Sequence, residues 1–407
     1  MKKRWAILGV AMVILLGSLA ISGHASGLFD FSFSKKNTVT ISQEEYDRLK
    51  KYSKMDEILQ YIETWYWQEP DVDKLVETAT RGLMAGLEDP YTFYYNEEEW
   101  KSMWEDDEGQ YGGVGLELLG NAETNIVTIT RVFRDTPAER AGVHKGDILV
   151  RVEDIEVNAY TMQNAVNVMR GTLNEEVEVE VKRGDEYITF RMPRATIVIN
   201  RVEYTMLEDG VGYIMLYQFA GDSEKEFAAA LEDLRSQGAQ SLIVDLRDNG
   251  GGWVSAAIDI ADLFLDDGLL VYSQDRYGTK DEYKTKDGKD EIPLVFLVNG
   301  NSASASEILS GGLQDLGRAT LVGTQTFGKG IIQTVIPLNN NTEGFQMTYA
   351  QYFLPSGKAV HKQGITPDVI AEMPQELANQ LFPLGDLSDP QLKTAWETAK
   401  GMILVKD

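Results

Sequence analysis

The fold is decided by Leu294-Val-Phe-Leu-Val-Asn-Gly-Asn-Ser-Ala-Ser-Ala-Ser-Glu307, in which a short apolar run leads through a turn into the start of a helix. The run over 294–298 ends at Asn299-Gly300, which is typical of a buried parallel strand followed by a turn. We expect the helix over 304–316 and the next strand over 319–322. Strand, helix and strand in this order indicate one unit of a largely parallel sheet.

The same alternation precedes this unit along the chain. A strand is expected over 211–217, a helix over 223–236 and a buried strand over 241–246. The loop after the second strand contains three consecutive glycines, Gly250-Gly-Gly252, and another helix is expected over 254–265. Repeated strand and helix units of this kind predict an α/β domain built on a parallel sheet.

Ser304 and Lys329 are the candidate catalytic residues of this domain. Ser304 follows a strand and begins a helix, so its hydroxyl is exposed and negative charge that develops there lies near a positive helix end. A serine needs a base to become a nucleophile, and the chain has only three histidines, His24, His144 and His361. A lysine can be that base when burial lowers its pKa, as in Ser-Lys enzymes. Lys329 lies 25 residues after Ser304, in Phe327-Gly-Lys-Gly-Ile-Ile-Gln333.

A serine nucleophile that attacks a carbonyl also needs two hydrogen-bond donors for the oxyanion. The backbone N–H of Ala305, next to the serine, is one candidate, and Gly251 or Gly252 is expected to supply the other. Glycine has no side chain, so the backbone of this loop can approach a bound substrate closely. The sequence therefore predicts an oxyanion hole made by Ala305 and one of these two glycines.

Several segments of the chain resemble the carboxyl-terminal processing peptidases, also called tail-specific proteases. The resemblance covers about Glu45 to about Glu372. It rests on the segments around Ser304 and Lys329 and on five others: Ala79-Thr-Arg-Gly-Leu-Met-Ala-Gly-Leu-Glu-Asp-Pro-Tyr91, Gly112-Gly-Val-Gly-Leu116, Asp135-Thr-Pro-Ala-Glu-Arg-Ala-Gly142, Lys145-Gly-Asp-Ile-Leu149 and Asp245-Leu-Arg-Asp-Asn-Gly-Gly-Gly252. It implies a serine endopeptidase that cleaves peptide bonds through an acyl-enzyme. In that enzyme Lys329 is the base and Gln333 orients its amine. The family's loop usually reads Asn-Pro-Gly-Gly, whereas Gly250 replaces the proline here.

The resemblance also implies a fold and a domain organisation. The fold is α/β, with a crotonase-like β-α spiral as the protease core, an inserted PDZ domain and an N-terminal helical arm. We expect these regions: a signal peptide or membrane anchor over 1–25, a helical dimerisation region over 38–108, the PDZ domain over 109–195, the Ser-Lys core over 196–372 and a helical tail over 373–407. The protein is therefore expected to form a homodimer.

The predicted PDZ domain has a glycine-rich loop that leads into a strand. Its glycines leave consecutive backbone N–H groups free to bind a carboxylate, and an edge strand can accept a peptide as an added strand. We expect the C-terminal tails of unfolded or membrane-associated proteins to bind at Gly113, Val114, Gly115 and Leu116. Arg170 is a candidate for a polar contact with the core through which the domain regulates cleavage. It is equally well explained as an ordinary solvated arginine.

Composition narrows the class of protein. The 407 residues include 38 Lys and Arg against 64 Asp and Glu, a net charge of −26, which argues against nucleic acid as a partner. There is no cysteine, so a disulfide or a thiol nucleophile is excluded. We expect no metal and no cofactor. Lys2-Lys3-Arg4 precedes an uncharged stretch over 5–23, as in a signal peptide or an anchor, which predicts an extracytoplasmic protein held at the cell envelope or secreted.

Two other functions remain open at this stage. A Ser-His hydrolase would use His361, which lies in Lys358-Ala-Val-His-Lys362 after a turn. A membrane-tethered PDZ adaptor would have an inactive protease core, although the complete set of Ser304, Lys329 and Gln333 counts against it.

Overall fold

The computed structural model describes residues 40–108, 110–121, 124–286, 290–377, 380 and 382–406. The chain divides into two compact units, Met1–Leu75 and Val76–Asp407. The predicted signal peptide or anchor over 1–25 lies outside the described residues. Within the part of the chain that is described, no helix is both long enough and apolar enough to cross a bilayer.

The first unit contains helices α1 (Gln43–Lys50) and α2 (Ser53–Trp65), and α3 (Val72–Ala85) begins in it. A capping box begins α1. The Ser42 hydroxyl accepts a hydrogen bond from the N–H of Glu45 (3.1 Å), and the Glu45 carboxylate accepts one from the N–H of Ser42 (2.9 Å). Large apolar side chains of α1 and α2 are exposed, among them Tyr46, Leu49, Tyr52, Met55, Ile58 and Tyr61.

The second unit contains an element that was not predicted from the sequence. The strand β1 (Phe93–Tyr95) interrupts the region expected to be helical, and helix α4 (Glu97–Glu108) follows it. Only three residues long and flanked by helices, β1 lacks an alternating pattern of its own. It forms because a partner strand more than 200 residues away supplies its hydrogen bonds.

The next segment is a small β domain, as expected for a PDZ domain. Its elements are β2 (Gln110–Gly113), β3 (Leu116–Asn121), β4 (Ile126–Val132), α5 (Pro137–Ala141), β5 (Ile148–Val152), β6 (Ile155–Glu156), α6 (Met162–Met169), β7 (Glu176–Arg183) and β8 (Glu186–Pro193). The sheet order is β3-β4-β5-β7-β8, with β6 beside β5, so β3 is an edge strand. Alternate residues of β7, Val177, Val179 and Val181, are fully buried in the domain core.

The core that follows contains the predicted parallel sheet. Its elements are β9 (Ala195–Val198), β10 (Val202–Met206), β11 (Val211–Leu216), α7 (Ser223–Ser236), β12 (Ser241–Asp245), α8 (Val254–Asp262), β13 (Gly268–Asp275), β14 (Lys280–Thr285), β15 (Leu294–Val298), α9 (Ala305–Asp315), β16 (Thr320–Gly323), β17 (Ile331–Leu338), β18 (Glu343–Phe353), β19 (Val369–Ile370) and α10 (Pro390–Lys406). The sheet order is β10-β11-β12-β15-β16-β19. All these strands pair in parallel except β10, which is antiparallel to β11.

Both faces of the parallel sheet are covered by helices, which explains its continuous apolar strands. On one face, Leu242 and Val244 of β12 share a core cluster with residues of α7, α8 and α9. On the other face, Ile243 joins a cluster that includes Leu392 and Ala395 of α10. The C-terminal helix is therefore part of the core.

A second, antiparallel sheet packs beside the first and was not predicted from the sequence. Its order is β1-β18-β13-β14, and β17 also pairs with β18. The pairing of β1 with β18 joins Phe93 to Gln346 and Tyr95 to Gly344. This sheet brings the segment before β1 to the loop before β17, which contains Lys329.

A buried ion network joins the C-terminal helix to the parallel sheet. Arg247 makes ion pairs of 2.7 Å with Asp245, at the end of β12, and with Asp389, which caps α10. The hydroxyl of Tyr213 donates to the same Asp245 carboxylate (2.8 Å). The side chain of Asp245 is fully buried, so its charge depends on these partners.

We expect Arg247→Met to lower the free energy of unfolding by about 3–5 kcal/mol, because two buried carboxylates lose their cation. The control is Arg191→Met, which removes an exposed pair with Glu178 and should cost less than about 1 kcal/mol. Urea unfolding followed by circular dichroism measures both. Equal losses for the two variants would contradict the predicted role of Arg247.

Candidate active site

One cavity of about 490 Å³ brings together the three residues predicted to be catalytic, Ser304, Lys329 and Gln333. Ser304 lies at the start of α9, Lys329 in the loop before β17, and Gln333 within β17. The glycine-rich loop after β12 contributes Gly252 to the same wall. The remaining lining residues are mostly apolar or aromatic: Tyr95, Met103, Gln218, Phe219, Ala220, Trp253, Val254, Ser255, Tyr283, Ile332, Val335, Gln346 and Tyr349.

Ser304 has an unusual backbone conformation at the turn between β15 and α9. Its φ is 56° and its ψ is −115°, a region that residues with a side chain rarely occupy. The turn is held by Ser302, whose hydroxyl donates to the carbonyl of Leu246 (2.7 Å) and accepts from the N–H of Asn299 (3.0 Å). Strain of this kind is concentrated at functional sites, where the surrounding structure holds a side chain in one position.

Glu307 links the serine turn to the lysine loop. Its carboxylate is fully buried and accepts hydrogen bonds from the N–H of Ser304 (3.0 Å), the hydroxyl of Thr326 (2.6 Å), and the N–H groups of Gly328 and Lys329 (2.8 Å each). Burial raises the pKa of Glu307, although these four donors oppose that change. Glu307 lies in the serine motif, but no role was predicted for it from the sequence.

Lys329 is in an environment that favours its neutral form more than water does. Burial lowers its pKa below the usual lysine value, although the negative charges of Asp89 and Glu307 act in the opposite direction. The ammonium nitrogen Nζ lies 4.4 Å from the centre of the Tyr91 ring. A lowered pKa makes the neutral amine more abundant, and the neutral amine is the form that can accept a proton from a serine.

Gln333 lies in the cavity, but its side-chain hydrogen bonds go to Ile331 and Thr348 and not to the lysine. Its amide nitrogen donates to the hydroxyl of Thr348 on β18 (3.2 Å). The pairing of β17 with β18 shifts register between Ile332 and Gln333, so simple alternation along the strand does not describe the side-chain directions here.

The two candidate glycines of the oxyanion hole differ in their hydrogen bonds. The N–H of Gly251 donates to the side chain of Asn249 (2.9 Å), whereas Gly252 is exposed and lines the cavity. Gly252 has a φ of 141°, and a Cβ there would lie 2.1 Å from the carbonyl oxygen of Phe219, so only glycine fits. The N–H of Gly252 is therefore the better candidate for the second oxyanion donor, beside the N–H of Ala305.

The glycine loop and the serine turn are held against each other by Asn249, which is fully buried. Its side-chain nitrogen donates to the carbonyl of Leu216 (2.7 Å). Its backbone carbonyl accepts from the hydroxyl of Ser306 (2.8 Å) and from the N–H of Ala303 (3.1 Å). These bonds fix the distance between the two segments that carry the candidate oxyanion donors.

His361, the alternative base, is not among the described residues that line the Ser304 cavity. It lies behind the lysine loop, where the N–H of the next residue, Lys362, donates to the carbonyl of Gly328 (2.8 Å). Burial and the charge of Lys362 lower its pKa. This position favours Lys329 over His361 as the base.

The predicted peptide-binding loop of the small β domain borders a second cavity, of about 60 Å³, lined by Tyr111, Val114, Gly115, Leu116, Leu118, Val166, Met169 and Arg170. Gly113, also predicted, is not among these residues. The edge strand β3 and helix α6 flank the groove, and Arg170 lies with its guanidinium 4.8 Å from the centre of the Tyr111 ring. A groove between an edge strand and a helix is a place where a peptide can add as a further strand.

A contact between the small β domain and the core involves Arg131, which the sequence analysis missed. This buried arginine of β4 donates to the carbonyl of Asn200 (2.5 Å) and pairs with Glu203 (3.1 Å). Its guanidinium lies 3.5 Å from the centre of the Tyr217 ring. Tyr217 immediately precedes the cavity-lining residues 218–220. No local pattern marks Arg131, because its partners lie in another domain.

Comparisons with known proteins identify the family of this chain. Three family models match the chain: peptidase family S41 over 210–371, a PDZ domain over 128–183, and the activating protease CtpB N-terminal domain over 21–99. The chain is 35% identical over 339 residues to the carboxy-terminal-processing protease of Bartonella bacilliformis, with 81% of this chain and 77% of that one covered. It is 34% identical over 387 residues to the carboxyl-terminal-processing protease of a Synechocystis species, with 92% and 88% covered.

A solved structure also matches over most of its length. The photosystem II D1 C-terminal processing protease is 29% identical, with a TM-score of 0.54, and the match covers 87% of this chain and 100% of that one. A putative S41 protease from Bacteroides fragilis, 16% identical with a TM-score of 0.57 over 83% and 92% of the two chains, supports the fold alone. The chain therefore belongs to the carboxyl-terminal processing proteases of peptidase family S41, serine peptidases, and contains a PDZ domain.

Proposed function

We propose that this protein is an endopeptidase that binds the C-terminal tails of substrate proteins through its PDZ domain and cleaves them with Ser304 as nucleophile and Lys329 as base. The observation that carries the proposal is the shared cavity, in which a serine with a strained backbone and a buried lysine lie together. The complete set of reactive residues in a formed cavity gives no support to an inactive adaptor.

The reaction begins when neutral Lys329 takes the proton of the Ser304 hydroxyl as Oγ attacks the substrate carbonyl carbon. The oxyanion that forms accepts hydrogen bonds from the N–H groups of Ala305 and Gly252. Protonated Lys329 then gives its proton to the leaving amine, which departs as the acyl-enzyme forms. A water molecule, deprotonated by Lys329, attacks the acyl-enzyme and releases the acid, and the proton returns to Ser304.

Gln333 fits this mechanism as a residue that arranges the lysine wall of the cavity. Its bond to Thr348 ties β17, which begins just after Lys329, to β18. We infer that its amide turns toward the lysine amine when substrate excludes water. In that position its carbonyl oxygen would accept a hydrogen bond from the lysine amine and so orient the base.

Tail recognition uses the groove beside β3. A bound tail would add a strand to this edge, and its terminal carboxylate would accept hydrogen bonds from backbone N–H groups at Gly113, Val114, Gly115 and Leu116. Apolar Val166 and Met169 on the groove wall favour an apolar last side chain. Unfolded or membrane-associated proteins are the substrates that expose such tails.

The remaining parts of the proposal concern assembly and location. The exposed apolar side chains of α1 and α2 support a homodimer joined through this arm, because burying them against a second copy removes them from water. The charged and apolar residues at the N-terminus support export, with the segment 1–25 acting as an anchor or being removed.

The PDZ domain is also proposed to regulate the core. Arg131 supports this idea, since it connects β4 to Tyr217 just before the cavity wall. Arg170 contacts Tyr111 on β2, and β2 pairs with β9 where the chain re-enters the core. A peptide bound beside Arg170 can therefore affect the junction between the domains.

Ser304→Ala and Lys329→Ala should each lower kcat/KM for peptide cleavage by about 10³-fold or more without loss of the fold. Activity of the wild type should rise with pH, because the base must lose a proton, and the midpoint should lie below the usual lysine pKa since burial lowers it. His361→Gln is the matched control and should retain cleavage. Full activity of Lys329→Ala at neutral pH would rule out this base.

Amidation of a substrate's C-terminus should weaken binding to the PDZ groove at least about tenfold, because it removes the charge that the backbone donors bind. Calorimetry with free and amidated forms of one apolar-ended peptide, using the Ser304→Ala protein to prevent cleavage, measures the difference. Equal affinities would show that the carboxylate is not recognised.

Regulation and simple recruitment predict opposite kinetics. If the PDZ domain gates the core, a tail peptide that is not cleaved should stimulate cleavage of a separate reporter at least twofold, and Arg170→Ala should abolish the stimulation. Reporter cleavage is measured against peptide concentration, with Arg191→Ala as an exposed control on the same domain. Inhibition at all concentrations would instead indicate competition for a recruiting site.

A further inference from the structure

A turn from the N-terminal part of the second unit lies against the base. It has the sequence Asp89-Pro-Tyr-Thr92 and directly precedes β1. The Tyr91 ring lies 4.4 Å from Nζ of Lys329, and the N–H of Tyr91 donates to the Asp89 carboxylate (3.0 Å). A carboxylate from a segment 240 residues before the lysine in the sequence is therefore held next to the aromatic ring that contacts Nζ.

Asp89 is held by hydrogen bonds that also reach Gln333. The hydroxyl of Thr92 donates to the Asp89 carboxylate (2.7 Å) and accepts from the N–H of Thr348 (3.0 Å). The hydroxyl of Thr348 in turn accepts from the side chain of Gln333 (3.2 Å). Hydrogen bonds through Thr92 and Thr348 thus connect Asp89 to Gln333.

We propose that Asp89 is a positioning residue for Lys329. The negative charge of Asp89 stabilises the lysine ammonium that forms when Ser304 gives up its proton. This role rests on the Ser-Lys mechanism proposed above and adds a residue to it. The carboxylate also sets the pH at which the base becomes neutral, because a nearby negative charge favours the protonated lysine.

The electrostatics of the two groups agree with this role. Burial raises the pKa of Asp89, but the hydrogen bonds from Thr348, Thr92 and Tyr91, together with the charge of Lys329, lower it overall, so Asp89 is ionised at neutral pH. Burial lowers the pKa of Lys329. The charges of Asp89 and Glu307 oppose this change, and the effect of Asp89 is the larger.

Other charged groups face the pair and must be accounted for. Glu307, on α9, also acts on Lys329, but it is bound to four donors of its own. The charges of Asp89 and of Lys362 both act on His361, in opposite directions. Of these groups only His361 has an ordinary pKa near neutrality, so a pH effect of Asp89 must be separated from the titration of His361.

A purely structural role for Asp89 makes a different prediction. Aspartate often caps a turn, and the two oxygens of Asp89 accept separately from the N–H of Tyr91 and the hydroxyl of Thr92, so asparagine keeps an acceptor for one of these bonds. If Asp89 serves the turn alone, Asp89→Asn should have little effect, or should lower activity equally at every pH. If its charge acts on Lys329, the effect must depend on pH.

We expect Asp89→Asn to move the acid-side midpoint of the kcat/KM profile down by about one pH unit, because the lysine loses a proton more easily without the negative charge. On the plateau at high pH, kcat should fall about threefold to tenfold, since the base is weaker and its ammonium less stabilised. Below both midpoints the two effects offset each other, and the variant should approach or exceed the wild type. The matched control is Asp275→Asn, because Asp275 caps a remote turn through the N–H groups of Tyr277 and Thr279.

A direct measurement separates this inference from the proposed function. The pKa of Lys329 is measured by NMR on the full chain with ¹³C-labelled lysine, with its signal assigned by loss in Lys329→Met. The signal should titrate about one pH unit lower in Asp89→Asn, both with His361 present and in the His361→Gln background. An unchanged Lys329 pKa, or a loss of activity that is equal at all pH values, would overturn the role of Asp89. An active Lys329→Met would overturn the Ser-Lys mechanism instead, whatever the lysine pKa.

Discussion

The buried Glu307 carboxylate is the interaction on which the geometry of the site depends. Its four hydrogen bonds join the N–H of Ser304 to the hydroxyl of Thr326 and to the backbone of the lysine loop. A fully buried carboxylate is costly unless its acceptors are satisfied, so these two segments are held at a fixed distance. The strained backbone of Ser304 can persist because the surrounding bonds determine it.

A second constraint is the charge balance around Lys329. A buried lysine loses its proton easily, but a base that is too weak cannot pull the proton from a serine. Asp89 and Glu307 act against burial, and the resulting pKa lies between the extremes that either factor alone would give. At the site, the negative charges of two carboxylates, Asp89 and Glu307, thus act on one lysine.

The PDZ domain joins the core next to this site. The chain enters and leaves the domain through β2 and β9, which pair with each other, and Arg131 reaches across to Tyr217 beside the cavity wall. A buried arginine with a carbonyl, a carboxylate and an aromatic ring as partners is a rigid contact. Movement of the PDZ domain would therefore disturb the segment that includes Phe219, which is hydrogen-bonded to the glycine loop.

The sequence by itself determined the α/β class, the parallel strands and the family, because apolar runs, caps and glycine turns are local patterns. It also predicted Ser304 and Lys329 as the catalytic pair, since both lie within short motifs. The roles of these two residues, of Gln333 and of the PDZ residues stay predictions, and the preference for Gly252 over Gly251 as a candidate rests on the hydrogen bond of Gly251 to Asn249. Only the tertiary structure placed β1 beside β18 and so brought Asp89 to Lys329. Antiparallel pairing between distant segments depends on the packing of the whole domain, and a three-residue strand has no pattern of its own from which it could be predicted.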